Sequence, residues 1–596
     1  MSRPVSAPPR STRAELWFVL ILAGLWLGSW SLLSAAAWLA GGHPSESPVG
    51  FVDPARIAAR VRDGGFAPWD LVGAGPHTRT ALFWPALFGL MLAVASVVTI
   101  TAIRAAPRRG SRFAGPGRRL RSVSRWARGP DLHGLLSLRA RDGRFILGAA
   151  RRRLILTERE TSVLVVGPTR SGKTTCLVVP NLLEWRGPAV VTSTKGELLA
   201  LTAAHRQRRG PVFVYDPTGE TAEQYASVSW SPLVGCEDLD RAWMVAAWLC
   251  AGLQQGTSRG DNDWAHWAES GKLLIAPLLF AAASTGLTVV DVHIWIHGFD
   301  LITPSGLLDE IVHDPDNPRA DDASRALTMV ASIDQRPERE RGTVFSTVMR
   351  IFNVFNERAV AASAMTSRFE PRTFLERNGT LYLCTPRLAP ERIASLFVGI
   401  LMTVVTEAYA VAEASPHGRL RSDLGLFLDE LANVVPIEDL PALASLGAGR
   451  GVLLLSIVQD LSQLRARYGP DRAHSILNNH PAKLILPGIS DPETVDLLSR
   501  LVGRHAVTDV QVSRGGDGHV SRSYSIRNDN LATPDALRQL DAVTAVALYR
   551  GRPPILVRLR PWYRSRRYRS YAQQRFFRGA EFVSTRHRDG GPSRTR

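Results

Sequence analysis

Short apolar runs recur along the middle of the chain, at residues 161–166, 189–192, 212–215, 380–384, 424–428, 452–457 and 483–486. Each is four to six residues long, rich in Val and Leu, and apolar at consecutive rather than alternate positions. Strands buried on both faces read this way. Helix-compatible segments lie between most of the runs, which is the βαβ arrangement of a parallel sheet. Such sheets take ligands at the carboxyl ends of their strands. Those ends carry Gly167, residues 193–195, Asp216, Asp429 and Gln459.

The spacing is uneven. Between Asp216 and Thr380 no strand pattern is visible, only helical stretches such as 239–253 and 264–283. A structureless loop of that length has no place in a compact domain. Residues 230–375 therefore predict an all-α domain inserted between two strands of an α/β sheet domain built from 154–229 and 376–562. After Trp562 the apolar periodicity fades, and 563–596 reads as an Arg-rich tail, disordered in isolation.

The N-terminal pattern is different. Residues 16–40 and 80–103 contain no charged side chain. At about 1.5 Å per residue each is long enough to cross a bilayer as a transmembrane helix. The first is also longer than the apolar region of a cleaved leader. Arg3, Arg10 and Arg13 precede it, and nine arginines follow the second between Arg104 and Arg128, whereas the four arginines of 41–79 are offset by four acids. The positive-inside rule then puts 1–15 in the cytoplasm, 41–79 outside it, and the bulk of the chain inside, at the cell membrane. Residues 104–153 read as a basic juxtamembrane linker whose arginines serve topology and anionic lipid in preference to DNA.

Charge changes the picture by its location. The net +18 of the 596 residues is made of +13 in 104–153, +10 in 558–596 and +2 in 1–103, leaving 154–557 at −7. The sheet-bearing body is mildly acidic, so the basic pI by itself is weak evidence for nucleic acid. Four scattered cysteines form no CxxC pair, which suggests neither a zinc site nor a disulfide framework but small buried apolar residues in a reducing compartment. His293 and His297, four apart, read as a helix surface rather than a metal pair.

Residues 167–174 read GPTRSGKT, a full match to G-x-x-x-x-G-K-[ST], between an apolar strand and a helix-compatible segment. That context makes it a P-loop. Gly167, Pro168, Thr169, Arg170, Ser171, Gly172, Lys173, Thr174 and Thr175 would wrap backbone N–H groups round the phosphates of ATP. Lys173 would reach the β- and γ-phosphates, and Thr174 would bind Mg²⁺. LGLFLDE (424–430) is an apolar strand ending in two acids. Asp429 would hold the metal, and Glu430 would orient or deprotonate the attacking water. Gln459 ends the next strand, where it either senses the γ-phosphate or caps a helix. Arg450 precedes that strand, at the wrong end to reach its own subunit's nucleotide. It is either an arginine finger for a neighbour or an ordinary surface residue.

Taken together, GPTRSGKT (167–174), TSTKGEL (192–198), VYDP (214–217), LFLDELAN (426–433), GAGRGV (447–452) and SIVQDLSQL (456–464) resemble the type IV coupling proteins, the TraG/TraD-like ATPases of conjugation. The two apolar N-terminal stretches, the helical insertion and a late strand leading to Pro561-Trp562-Tyr563 fit the same family. The resemblance implies a RecA-like P-loop NTPase with an inserted all-α domain, assembled as a homo-hexamer at the membrane. It implies delivery of a relaxase–DNA complex or of secreted proteins to the components of a type IV secretion channel. Lys173, Thr174, Asp429, Glu430, Gln459 and Arg450 inherit ATPase roles by motif match. One departure is Ser193, where many relatives carry Asp, and it leaves Lys195 without an assigned role. Two other functions remain open: a cargo-recruiting adaptor that uses ATP as an assembly switch, and an FtsK-type DNA translocase. The second usually has more spans and a C-terminal DNA-reading module, for which there is no room after Trp562.

Overall fold

The computed structural model describes residues 28–41, 62, 80–105, 124–193, 196–220, 225, 227–252, 261–385, 390–514 and 520–574. Residues 16–27 of the first apolar stretch, nearly all of 41–79, the arginines between 106 and 123, Lys195 and the tail beyond Gln574 lie outside them. The chain divides into two compact units, residues 1–120 and 121–596.

In the first unit, residues 28–39 are helical and Thr80–Ala105 forms one 26-residue helix. Ala36, Ala37, Ala40 and Phe83 are buried where the two meet, with Trp30, Leu33 and Leu87 packed around them. The outward side is also apolar, with Trp38, Phe88, Met91 and Leu92 all exposed. A helix that is apolar all round suits lipid or a large protein core, not water. Among the described residues, one helical stretch, Glu391–Glu413, is long and apolar enough to cross a membrane. It is mostly buried inside the second unit and is a core helix, and the apolar stretch Ala81–Val94 is shorter.

The second unit is built on a twelve-stranded sheet. In chain order its strands are β1 (Leu136–Ser137), β2 (Ile146–Ala150), β3 (Arg153–Leu156), β4 (Val163–Val166), β5 (Ala189–Ser193), β6 (Val212–Tyr215), β7 (Thr380–Cys384), β8 (Leu424–Leu428), β9 (Val452–Val458), β10 (Ala482–Ile485), β13 (Thr544–Tyr549) and β14 (Ile555–Arg558). A separate antiparallel ribbon is made of β11 (Arg504–Arg514) and β12 (Val520–Asn530). The spatial order is β1-β3-β2-β14-β13-β10-β4-β9-β8-β5-β7-β6. The seven strands from β10 to β6 are parallel, and they are the seven apolar runs of the sequence. The other five run antiparallel along one edge.

Successive side chains of the parallel strands enter two different cores. Leu164, Val166, Leu454 and Leu426 face one layer, together with the helices Ala394–Glu413, Leu440–Arg450 and Leu461–Asn479. Val163, Val165, Leu455 and Phe427 face the other, which contains the helix after β4 and the helix Gly196–Gln207. Burial on both faces explains why these strands lack polar alternation. Between β6 and β7 the described residues form a series of helices, from Leu239–Ala251 to Pro371–Glu376. The buried residues of this insertion, such as Val245, Leu249 and Phe345, are continuous with the sheet's first core.

Two boundaries expected from the sequence are corrected. Residues 104–153 are not a linker throughout: the sheet begins at Leu136, and the amides of Ser124 and Ala127 already bond to the carbonyls of Arg504 and Pro554. The strands here are two to five residues long and β2 shifts register at Gly148, so the apolar stretches 145–150 and 154–156 are easily passed over inside an arginine-rich segment. Nor is 563–596 disordered from its start. Trp562–Arg564 forms a 3₁₀ turn, and Arg566–Ala572 is a helix packed on Gly196–Gln207. Its Tyr571 stacks on His205 at 4.0 Å, and Arg567 pairs with Glu184 at 2.9 Å. Tyr568 and Tyr571, three residues apart, supply an apolar face too short to register as periodicity.

Candidate nucleotide site

The loop after β4 runs from the sheet into a helix whose first turns, Lys173–Val178, are wide π turns before the α-helical Val179–Glu184. The wide segment ends just before Pro180, which removes one amide donor from the helix ladder. Gly172 has φ 89, a left-handed conformation that favours glycine. A Cβ on Gly167 would lie 2.7 Å from Leu486 and 2.8 Å from the Ser171 hydroxyl. Ser171 closes the turn by donating its hydroxyl to the Pro168 carbonyl at 2.8 Å. The loop must therefore run tight against β10, and only glycine permits it.

Lys173 is 8% exposed, and its Nζ has no hydrogen-bond partner among the described residues. An unpaired buried amine is costly unless an anion satisfies it. Across the cleft, the Thr174 hydroxyl donates to Asp429 Oδ2 at 3.2 Å, although the two are 255 residues apart. Thr192, at the end of β5, donates to the Asp429 carbonyl at 2.8 Å and fixes the end of β8. Glu430 has φ 53, ψ 42, the left-handed region that a non-glycine residue enters at a cost. That turn ends β8 abruptly, and Asp429 Oδ1 accepts from the Glu430 amide at 3.1 Å.

Thr169, Arg170, Gly172, Lys173, Thr174, Thr175, Asp429 and Glu430 line one cleft of about 330 Å³. Gly167, Pro168 and Ser171 shape the loop without lining the cleft. Gln459 follows β9, between β4 and β8, but its side chain is not among the lining residues, and its amide donates to the Gln463 side chain at 3.1 Å. Arg450 is not brought to the cleft. It ends Leu440–Arg450, pairs with Glu413 at 3.0 Å and lies over the Tyr409 ring at 4.6 Å. With β9 intervening, about 20 Å of strand separates it from the carboxyl edge of the sheet. Asp216, also at a strand end, instead closes a turn by accepting from Thr218 and the Gly219 amide.

Val179, Glu197, Leu198, Leu201 and Trp562 also line the cleft, and sequence reasoning assigned them no role. Glu197 and Leu198 stand inside TSTKGEL and Trp562 inside the late Pro-Trp-Tyr, so the motifs were visible while their approach to the P-loop was not. The four cysteines are buried and none is in a disulfide. Burial pushes the thiols of Cys236, Cys250 and Cys384 up to about 12, which leaves them inert.

Comparison with known proteins agrees with this geometry. The chain is 27% identical over 414 residues to a conjugal transfer protein TraG of Escherichia coli, covering 63% of this chain and 61% of that protein. It thus spans about three fifths of the length of that relative. The plasmid coupling protein TrwB in complex with a non-hydrolysable ATP analogue, ADPNP, superposes with a TM-score of 0.53 at 18% identity, covering 76% of this chain and 97% of TrwB. TrwB in complex with ADP and Mg²⁺ gives a TM-score of 0.52 at 18% identity, covering 74% and 93%. These likenesses, with the mixed sheet described above, show a RecA-like α/β NTPase fold. Residues 118–583 match the family described as type IV secretory system conjugative DNA transfer, more than three quarters of the sequence, and the chain belongs to that family.

Proposed function

We propose that this chain is a membrane-anchored ATPase that couples a relaxase–DNA complex, or a protein substrate, to a type IV secretion channel and drives transfer by ATP hydrolysis. The observation that carries the reading is the unpartnered, buried Lys173 Nζ beside the Thr174–Asp429 pair, in a chain of this family. The donor set fits a metal–nucleotide complex: a hydroxyl and a carboxylate 3.2 Å apart, next to a lysine and a glycine-rich loop. Thr174 and Asp429 would hold Mg²⁺, which when bound supplies positive charge against the β- and γ-phosphates. Lys173 would clamp the same phosphates, and the loop amides from Thr169 to Thr175 would hold the chain of oxygens in place. Glu430, held by its strained turn beside Asp429, would orient the attacking water and accept its proton. Gln459 would monitor the γ-phosphate from the strand between.

The anchor is proposed as two spans, residues 16–40 and 80–103, with the sheet unit in the cytoplasm. The apolar exterior of the paired helices in the first unit supports it. A homo-hexameric ring would let Arg450 serve a neighbour's site.

The test is ATP turnover by the full-length protein in detergent, with and without single- and double-stranded DNA. Hydrolysis should be stimulated by DNA and abolished in Lys173→Ala. Glu430→Gln should still bind ATP but turn over at least about a hundredfold more slowly. Absence of turnover under every condition would overturn the reading. The net −7 of residues 154–557 supports a second reading, a cargo adaptor, for which turnover would be indifferent to DNA.

A further inference from the structure

The nucleotide cleft is lined by two chemically different sets of side chains. Lys173, Thr174, Asp429 and Glu430 are polar, as a magnesium triphosphate requires. Val179, Leu198, Leu201 and Trp562 add apolar surface, with Glu197 beside Leu198 in the same lining. Val179 and Leu198 are buried, but Leu201 and Trp562 are only half-buried, so apolar surface, an indole included, is presented to an otherwise polar cleft. Nothing in the phosphate chemistry uses that surface. A nucleobase has the matching properties: flat, aromatic and joined to the triphosphate through a ribose.

We propose that Trp562 is the base-stacking wall of the nucleotide cleft, so that the segment following the last sheet strand takes part in holding the purine ring. The inference rests on the reading of the cleft as an ATP site and adds a subsite to it. Indole presents a large, stiff stacking surface at a small entropic cost. This one is also held in place from both sides. Pro561 before it is buried, and the Arg564 and Ser565 amides donate to the carbonyls of Pro561 and Trp562, both at 3.0 Å. The following helix is pinned to the P-loop side of the sheet by the Tyr571–His205 stack and the Arg567–Glu184 pair. The base wall and the P-loop helix therefore share one layer of the fold, and the C-terminal helix is the brace that keeps Trp562 beside the turns Lys173–Val178.

The experiment compares two ligands that differ in the base. Dissociation constants for ATP and for inorganic tripolyphosphate are measured by calorimetry on the full-length protein, wild type, Trp562→Ala, Trp562→Phe and Lys173→Ala. Base–aromatic stacking predicts that Trp562→Ala weakens ATP by about 5- to 100-fold and leaves tripolyphosphate within about twofold. Trp562→Phe should recover most of the ATP affinity, because a smaller ring still stacks. Equal losses for both ligands in Trp562→Ala would overturn the proposal in favour of a merely structural tryptophan, and so would no loss for either. Failure of the underlying reading is separate: wild type would bind neither ligand, or Lys173→Ala would bind both unchanged.

Discussion

His480 sits wholly buried at the end of Leu461–Asn479, with Nδ1 against the Ile476 carbonyl at 2.8 Å and Nε2 against the Ser456 hydroxyl at 2.9 Å. Burial pushes its pKa down to about 4, and it does the same to His205. The unfolded chain takes up these protons near pH 6.5, before the folded protein does. The stability due to a neutral His480 is thus complete above about pH 6.5 and is lost as pH falls toward 4. The unfolding free energy from urea titration should fall across that window by an amount on the order of 1–3 kcal/mol. His480→Gln should flatten the decline, and an unchanged pH profile in that variant would exclude the mechanism. Lys173 and Glu430 show the opposite balance. Each holds an unfavourable arrangement, an unpaired amine and a left-handed backbone, where the nucleotide would act.

At the scale of elements, β9 inserted between β4 and β8 sets the width of the site. It separates the P-loop strand from the Asp429 strand by one strand, and the Thr174 hydroxyl still reaches Asp429 at 3.2 Å across the cleft. The C-terminal helix is the least expected element. It packs Tyr568 and Tyr571 against the second core of the sheet unit. Tyr571→Ala removes the stack on His205, an aromatic contact worth about 0.5–1.5 kcal/mol beyond its burial. The expected result is a melting temperature a few degrees lower and faster proteolysis after Trp562. If neither changes, the helix is not docked in solution. The β11–β12 ribbon is exposed along much of its length, with Val510, Val512 and Tyr524 turned to solvent. A two-stranded ribbon with no core face leaves no hydrophobic pattern to read, although the sequence Gly-Gly-Asp-Gly at 515–518 is a hairpin signal.

At the scale of the whole molecule, Arg450 decides whether one chain suffices. It is partly exposed, held by Glu413 and Tyr409, and remote from its own cleft. If it completes a neighbour's site, rings of Arg450→Ala subunits and rings of Lys173→Ala subunits should each be inactive. Mixing the two should restore part of the ATPase activity, because some interfaces then pair an intact P-loop with an intact arginine. In well-studied NTPases such a residue is worth roughly 10³–10⁵ in rate, so even partial recovery would be measurable. No recovery in verified mixed rings would assign Arg450 to the surface ion pair alone.

The sequence by itself determined the seven parallel strands, because burial on both faces forces continuous apolar runs, and the P-loop, because its turn admits little but glycine. It also located Asp429 and Glu430, which follow an apolar strand at the carboxyl edge of the parallel sheet. What it left undecided follows from the same physics. Strands β1 to β3 are only two to five residues long and stand among arginines, and the ribbon is exposed along much of its length, so neither writes a periodicity long enough to read. Trp562 lies 389 residues after Lys173, and its place in the cleft depends on β14 ending the sheet beside the P-loop layer and on the Tyr571–His205 stack. Only the tertiary structure brings that indole to the phosphate loop, because local sequence encodes which residues want burial but not which distant surface buries them.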